Sequence, residues 1–143
     1  MYEPRLTPQQ RAQVKSRAEH CCEYCLSHEP YSPDTFSIEH IIPVVKGGTN
    51  RTSNLANACQ GCNNRKYTSI EGLDLVTGAS VPLYHPRRDK WSEHFAWNED
   101  FSLVIGLTPI GRATTVKLDL NRKGVVNLCK VLAPLGLHPI EYT

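Results

Sequence analysis

The 143-residue chain has no long apolar run. Its richest stretches, Ile41 to Val45 and Leu103 to Leu107, fall far short of the roughly 18 residues that a bilayer crossing needs, which excludes a membrane-spanning helix. The first dozen residues, MYEPRLTPQQRA, hold neither an apolar segment nor a small-residue cleavage site, so the expectation is a cytoplasmic protein without a secretory leader. An excess of one charge sign is also missing: 16 Lys+Arg against 14 Asp+Glu leave a net charge of +2, well short of a strongly basic footprint. Linkers and low-complexity tracts are absent too. With 40% hydrophobic residues and a mean hydropathy of -0.38, the composition is that of about one ordinary domain with a core of its own.

The charges that are present are unevenly placed. The segment 21–45 carries four acids and no lysine or arginine, whereas 46–90 carries seven basic residues against three acids. The first could gather cations and the second could meet phosphates, although on charge alone a solvated surface is the preferred reading of both. Thr7-Pro8-Gln9-Gln10 supplies an N-cap, a proline at the first helical position and a glutamine at the third, which predicts a helix over 8–19. A strand is expected over 35–42, a glycine loop over 46–50, and weak helical character over 53–58 and 60–67. Beyond Gly72 the pattern predicts a hairpin (73–76 with 81–84), a helix over 88–97 with Trp91 and Phe95 on one packing face, and a second hairpin turning at Thr108-Pro109-Ile110-Gly111. A last helix is expected after an Asn121 cap, with Val125, Leu128, Cys129 and Leu132 as its apolar stripe.

Cys22-Glu23-Tyr24-Cys25 and Cys59-Gln60-Gly61-Cys62 are two C-x2-C pairs. Two thiolates from each of two tight turns suit tetrahedral zinc, whereas a redox pair would need a βαβ setting that is not evident. Cys21 is discounted against Cys22 because it breaks the matched spacing, and Cys129 falls on an apolar helix stripe where a buried thiol belongs. Four cysteines leave no open coordination position, so zinc held by Cys22, Cys25, Cys59 and Cys62 is expected to be structural.

Between and after these pairs come Ile38-Glu39-His40-Ile41-Ile42-Pro43, Gly47-Gly48, Asn54-Leu55 and Asn63-Asn64-Arg65-Lys66. The ordered set over residues 22–66 resembles the HNH endonuclease family. That resemblance implies an α+β chain with a ββα-metal hairpin–helix core in segment 1–71, extended by a C-terminal hairpin–helix segment, 72–143, packed on the same domain. It also implies a metal-dependent nuclease acting on DNA. His40 is then the general base, and Glu39 and Asn63 hold a magnesium or manganese ion. Asn54 braces the hairpin loop, and Arg65 and Lys66 contact phosphates.

The residue types suit that chemistry. In-line hydrolysis of a phosphodiester needs a water-activating group and a group stabilising the leaving oxygen on opposite sides of the phosphorus, and neighbouring residues on a strand diverge. Imidazole is a good general base near neutral pH, and carboxylate and amide oxygens are hard donors for a divalent cation. Two departures from the common family pattern are visible, Glu39 where aspartate is usual and Asn63 where some members have histidine. Other readings of single residues stand beside these: Asn63 as a helix cap, Asn54 as a plain turn residue, and Arg87 to Trp97 as a basic-aromatic DNA face rather than core. For the whole chain, the alternatives are a zinc-stabilised nucleic-acid-binding module that does not cleave and a zinc domain that recruits protein partners.

Overall fold

The computed structural model describes residues 5–140, so the extreme ends of segments 1–71 and 72–143 lie outside the described residues. Helix α1 spans Pro8–Arg17 and starts as the capping signals require: Thr7 Oγ1 accepts from Gln10 N–H (3.1 Å) and the Thr7 N–H returns a bond to Gln10 Oε1 (2.9 Å). Its core face is thin, with Val14 buried and Ala18 at the cap, so polar ties fix it in place. Lys15 Nζ donates to the Phe36 carbonyl (2.8 Å) and pairs with Glu29 (3.2 Å), while Arg17 donates to the Thr52 carbonyl (2.7 Å).

Strands β1 (Ser37–His40) and β2 (Leu55–Ala58) then pair antiparallel, with Glu39 opposite Ala56 and His40 opposite Leu55. The expected helical character over 53–58 is corrected here. A short 3-10 turn, Thr52–Asn54, leads into β2, whose Leu-Ala-Asn-Ala sequence is fully buried and held by its ladder with β1. Tertiary pairing overrides the helix preference of leucine and alanine. Helix α2 (Gln60–Lys66) follows directly, completing a ββα unit.

Among the described residues, the C-terminal segment carries two small hairpins, three α-helices and a closing 3-10 turn, Ala133–Leu135. Strands β3 (Glu71–Leu73) and β4 (Ser80–Pro82) flank a loop organised by Asp74. The Asp74 carboxylate accepts from Val76 N–H, Thr77 Oγ1 and the fork of Arg112 (2.9 and 3.0 Å), which holds it well below the usual carboxylate range. The expected helix over 88–97 is shorter, α3 (Trp91–His94), and runs straight into β5 (Phe95–Trp97). Strand β5 pairs with β6 (Val104–Gly106), so the second hairpin closes on its N-terminal side.

The stretch expected as turn and returning strand is instead helix α4 (Pro109–Lys117), capped by Thr108 Oγ1 accepting from Gly111 N–H (3.0 Å). The period-2 alternation of 101–107 is real but faces the other way: Val104 and Ser102 are buried, and Phe101, Leu103, Ile105 and Leu107 are exposed. Helix α5 (Lys123–Leu132) buries Val125, Cys129 and Leu132. Asn121 does not cap it; its amide instead bonds both the N–H (2.7 Å) and the C=O (2.8 Å) of Val104.

The two segments share one hydrophobic core, in which Tyr24, Phe36 and Ile41 meet Leu83, Phe95 and Leu118. Trp91 stacks on Phe95 (ring centroids 5.1 Å) and on Trp97 (5.4 Å), and its indole N–H donates to the Tyr24 carbonyl (3.0 Å). No helix among the described residues is long and apolar enough to cross a membrane.

Candidate metal centre and active site

Cys22 and Cys25 lie in the tight turn after α1, and Cys59 and Cys62 at the start of α2, where Cys59 Sγ caps the helix by accepting from Cys62 N–H (3.4 Å). The four buried sulfurs lie within 4.8 Å of one another. Zinc–sulfur bonds of about 2.3 Å put the corners of a tetrahedron about 3.8 Å apart, and Cys25 and Cys59 stand 3.7 Å apart. Hydrogen bonds from the Cys22 thiol and its neighbours pull the Cys59 thiol far below the usual range, and burial pushes Cys22 up. Arg122 Nη2 donates to Cys59 Sγ (3.0 Å) and Nη1 to Cys62 Sγ (3.5 Å). Converging sulfurs that accept from N–H donors are the chemistry of thiolate ligands, and the four residues fit zinc. Cys21 and Cys129 stay outside the cluster, and burial pushes both thiols up to about 12.

The cysteine-capped helix is docked on the strand that carries Glu39 and His40. At its start, Gln60 Nε2 donates to Ser37 Oγ (2.8 Å); at its end, Lys66 Nζ pairs with Glu39 (3.3 Å) and donates to the Ile41 carbonyl (2.8 Å). Positions 60, 63 and 66 share one helix face, so Asn63 sits midway between two anchors to β1. It is half-buried and inside the helix, since Cys59 occupies the cap.

Glu39 is 6% exposed. One carboxylate oxygen accepts from the Tyr24 hydroxyl and the other faces Lys66. Burial pushes its carboxyl above the ordinary value, opposed by the Lys66 ammonium and the Tyr24 hydroxyl. Tyr24 is itself pushed well up by burial and by the Glu39 charge, so it stays a hydroxyl donor. An ionised carboxylate has about four lone-pair sites, so these two partners leave acceptor capacity for a cation. Carboxylate and amide oxygens such as those of Glu39 and Asn63 are hard donors, the type that magnesium-like ions take.

Lys66 departs from its expected place at a phosphate: it is 1% exposed and committed to Glu39 and Ile41. Arg65 is exposed, reaching back to the Gly61 carbonyl (3.2 Å) and lying 3.9 Å from Asp119. Replacing Lys66 by methionine strips a buried carboxylate of its counter-ion. The variant is expected to lose about 3–5 kcal/mol of unfolding free energy in urea, with less than additive loss in K66M/E39Q; wild-type stability in K66M would show the pair to be idle.

His40 ends β1, half-buried, and its Nε2 lies 2.6 Å from Asn50 Oδ1. Which group donates in this pair follows from the tautomer of the ring. Asn54 spans the loop: its Oδ1 accepts from Ile42 N–H (2.8 Å), and its Nδ2 donates to the carbonyls of Ile42 (3.0 Å) and Thr49 (2.9 Å). The loop is tight enough that a Cβ on Gly48 would lie 1.7 Å from the Ile42 carbonyl oxygen, so only glycine fits there. Sequence reasoning missed Asn50 and Arg122. Asn50 lies in the glycine loop without a motif of its own, and Arg122 is 60 residues from Cys62.

No curated protein matches the chain. Residues 22–69 match the family model of the HNH endonucleases, a span running from the first cysteine of the cluster to just beyond α2, and over this stretch the chain is similar to a nuclease-type family.

Proposed function

We propose that the protein is a DNA endonuclease that hydrolyses phosphodiester bonds in the cytoplasm, with residues 72–143 packed on the HNH core as part of one domain. The observation that carries this reading is the double anchoring of α2 on β1, the strand bearing Glu39 and His40, through Gln60–Ser37 and Lys66–Glu39, with Asn63 between the two anchors in the helix. His40 is the general base. Its imidazole takes the proton of a water whose oxygen attacks phosphorus, while the bond from phosphorus to the opposite ester oxygen breaks.

Glu39 and Asn63 hold a magnesium or manganese ion, which when bound supplies charge stabilisation at the leaving oxygen. Asn54 keeps the loop between the strands in shape and touches no reacting atom. Arg65, on the exposed side of α2, meets the DNA backbone as a point of positive charge. Zinc holds the frame and takes no part in bond breaking.

The test is conversion of supercoiled plasmid to nicked or linear forms by the zinc-loaded protein. Cleavage is expected with added magnesium or manganese and absent without either. Plasmid that is bound and retarded in a gel, yet stays supercoiled with both metals, would favour the non-cleaving nucleic-acid-binding module.

A further inference from the structure

Zinc bound by four thiolates is a site of net charge −2, and a buried net charge needs a partner close by. The nearest cation here comes from the opposite end of the chain. Arg122 places Nη2 3.0 Å from Cys59 Sγ and Nη1 3.5 Å from Cys62 Sγ. The guanidinium is held in turn by the carbonyls of Leu118 (3.4 Å) and Asp119 (3.3 Å), in the turn between α4 and α5 that the fully buried Leu118 and Leu120 pin to the core. A second observation comes from Gly61, between the two cysteines that Arg122 serves. A Cβ there would lie 2.5 Å from Nη2, so the missing side chain makes room for the guanidinium.

We propose that Arg122 is a positioning residue of the zinc centre: its planar fork donates to both sulfurs of the second cysteine pair, retains the metal, and makes the C-terminal segment a working part of that centre. The inference rests on the reading of the cysteine cluster as a zinc site. Arginine suits the task because its donors are fixed in a plane that spans two acceptors, whereas lysine offers one compact ammonium. Donors to the outer side of metal ligands typically change metal affinity by about 10–100-fold when removed. The guanidinium also covers the sulfurs against electrophiles and oxidants.

The experiment follows transfer of zinc from the full-length protein to a chromogenic chelator, after the zinc content of the wild type has been measured. R122Q is expected to release zinc roughly 10–100-fold faster than wild type, with R122K in between. G61A keeps the arginine but pushes it aside, and should speed release in the same direction. In an R122Q background, G61A should add nothing, because the added methyl group then meets no guanidinium. Cobalt-substituted R122Q should show a shifted sulfur-to-cobalt charge-transfer band, which a purely structural role would not move.

Circular dichroism of G61A guards against a folding artefact in R122Q. Wild-type release rates in R122Q, or a full G61A effect in the absence of the arginine, overturn the proposal while leaving the zinc site in place. Wild-type protein purified without zinc and unable to take it up overturns the zinc reading and this inference together.

Discussion

Cys59→Ala is expected to abolish zinc binding and the cooperative thermal transition together. Structural zinc contributes apparent folding free energies on the order of 10–16 kcal/mol, as large as the roughly 5–15 kcal/mol that holds a whole domain folded. Cys59 also caps α2, since its sulfur accepts from the Cys62 N–H, so one atom both takes the metal and starts the helix. The cost spreads through the core because the cluster is continuous with Tyr24, Phe36 and Leu118. Cys129→Ala is the matched control. Its thiol is equally hidden but lies outside the cluster, so the variant should keep one zinc per chain and melt slightly lower. Atomic absorption and far-UV circular dichroism read both variants. Full zinc in Cys59→Ala, or its loss in Cys129→Ala, would assign the wrong sulfurs.

His40→Ala should lower the rate of plasmid cleavage by about 10²–10⁴-fold, the usual worth of a positioned general base, while zinc content and melting stay close to wild type. The ring is half-buried at the end of β1, and the ladder to Leu55 that holds this end of the strand uses backbone groups, which alanine keeps. Asn50→Leu should give a smaller loss, because the ring remains but the amide bonded to its Nε2 is gone. Unchanged cleavage in His40→Ala would remove this residue from the chemistry. Loss of zinc along with activity would mean that the ring serves the frame instead.

Much of this arrangement could be read from local chemistry. The Thr7–Pro8–Gln10 signals start a helix where they should, and the two C-x2-C pairs meet. What escaped reading depends on partners distant in the chain. Leu55–Ala58 is a strand because β1 lies beside it, although its residues favour helix. Thr108-Pro109 carries the same capping pair as Thr7-Pro8, but Gly111 and the alternation before it pointed to a turn. In the candidate site, the family pattern marked Glu39, His40, Asn54 and Asn63, yet could not tell an outward lysine from an inward one. The direction of Lys66 is decided by a carboxylate 27 positions earlier, and the use of Arg122 by sulfurs 60 and more positions away. Such pairings leave no periodicity to find.

Both tryptophans of the chain stand at the seam between its two segments, with Trp91 bonded to the backbone between Cys22 and Cys25 and stacked on Trp97. The protein thereby carries its own optical gauge. Indole emission should redden and brighten or dim as one signal when the metal turn loosens or the C-terminal segment lifts away, so assembly of the two can be followed in stopped flow without a label.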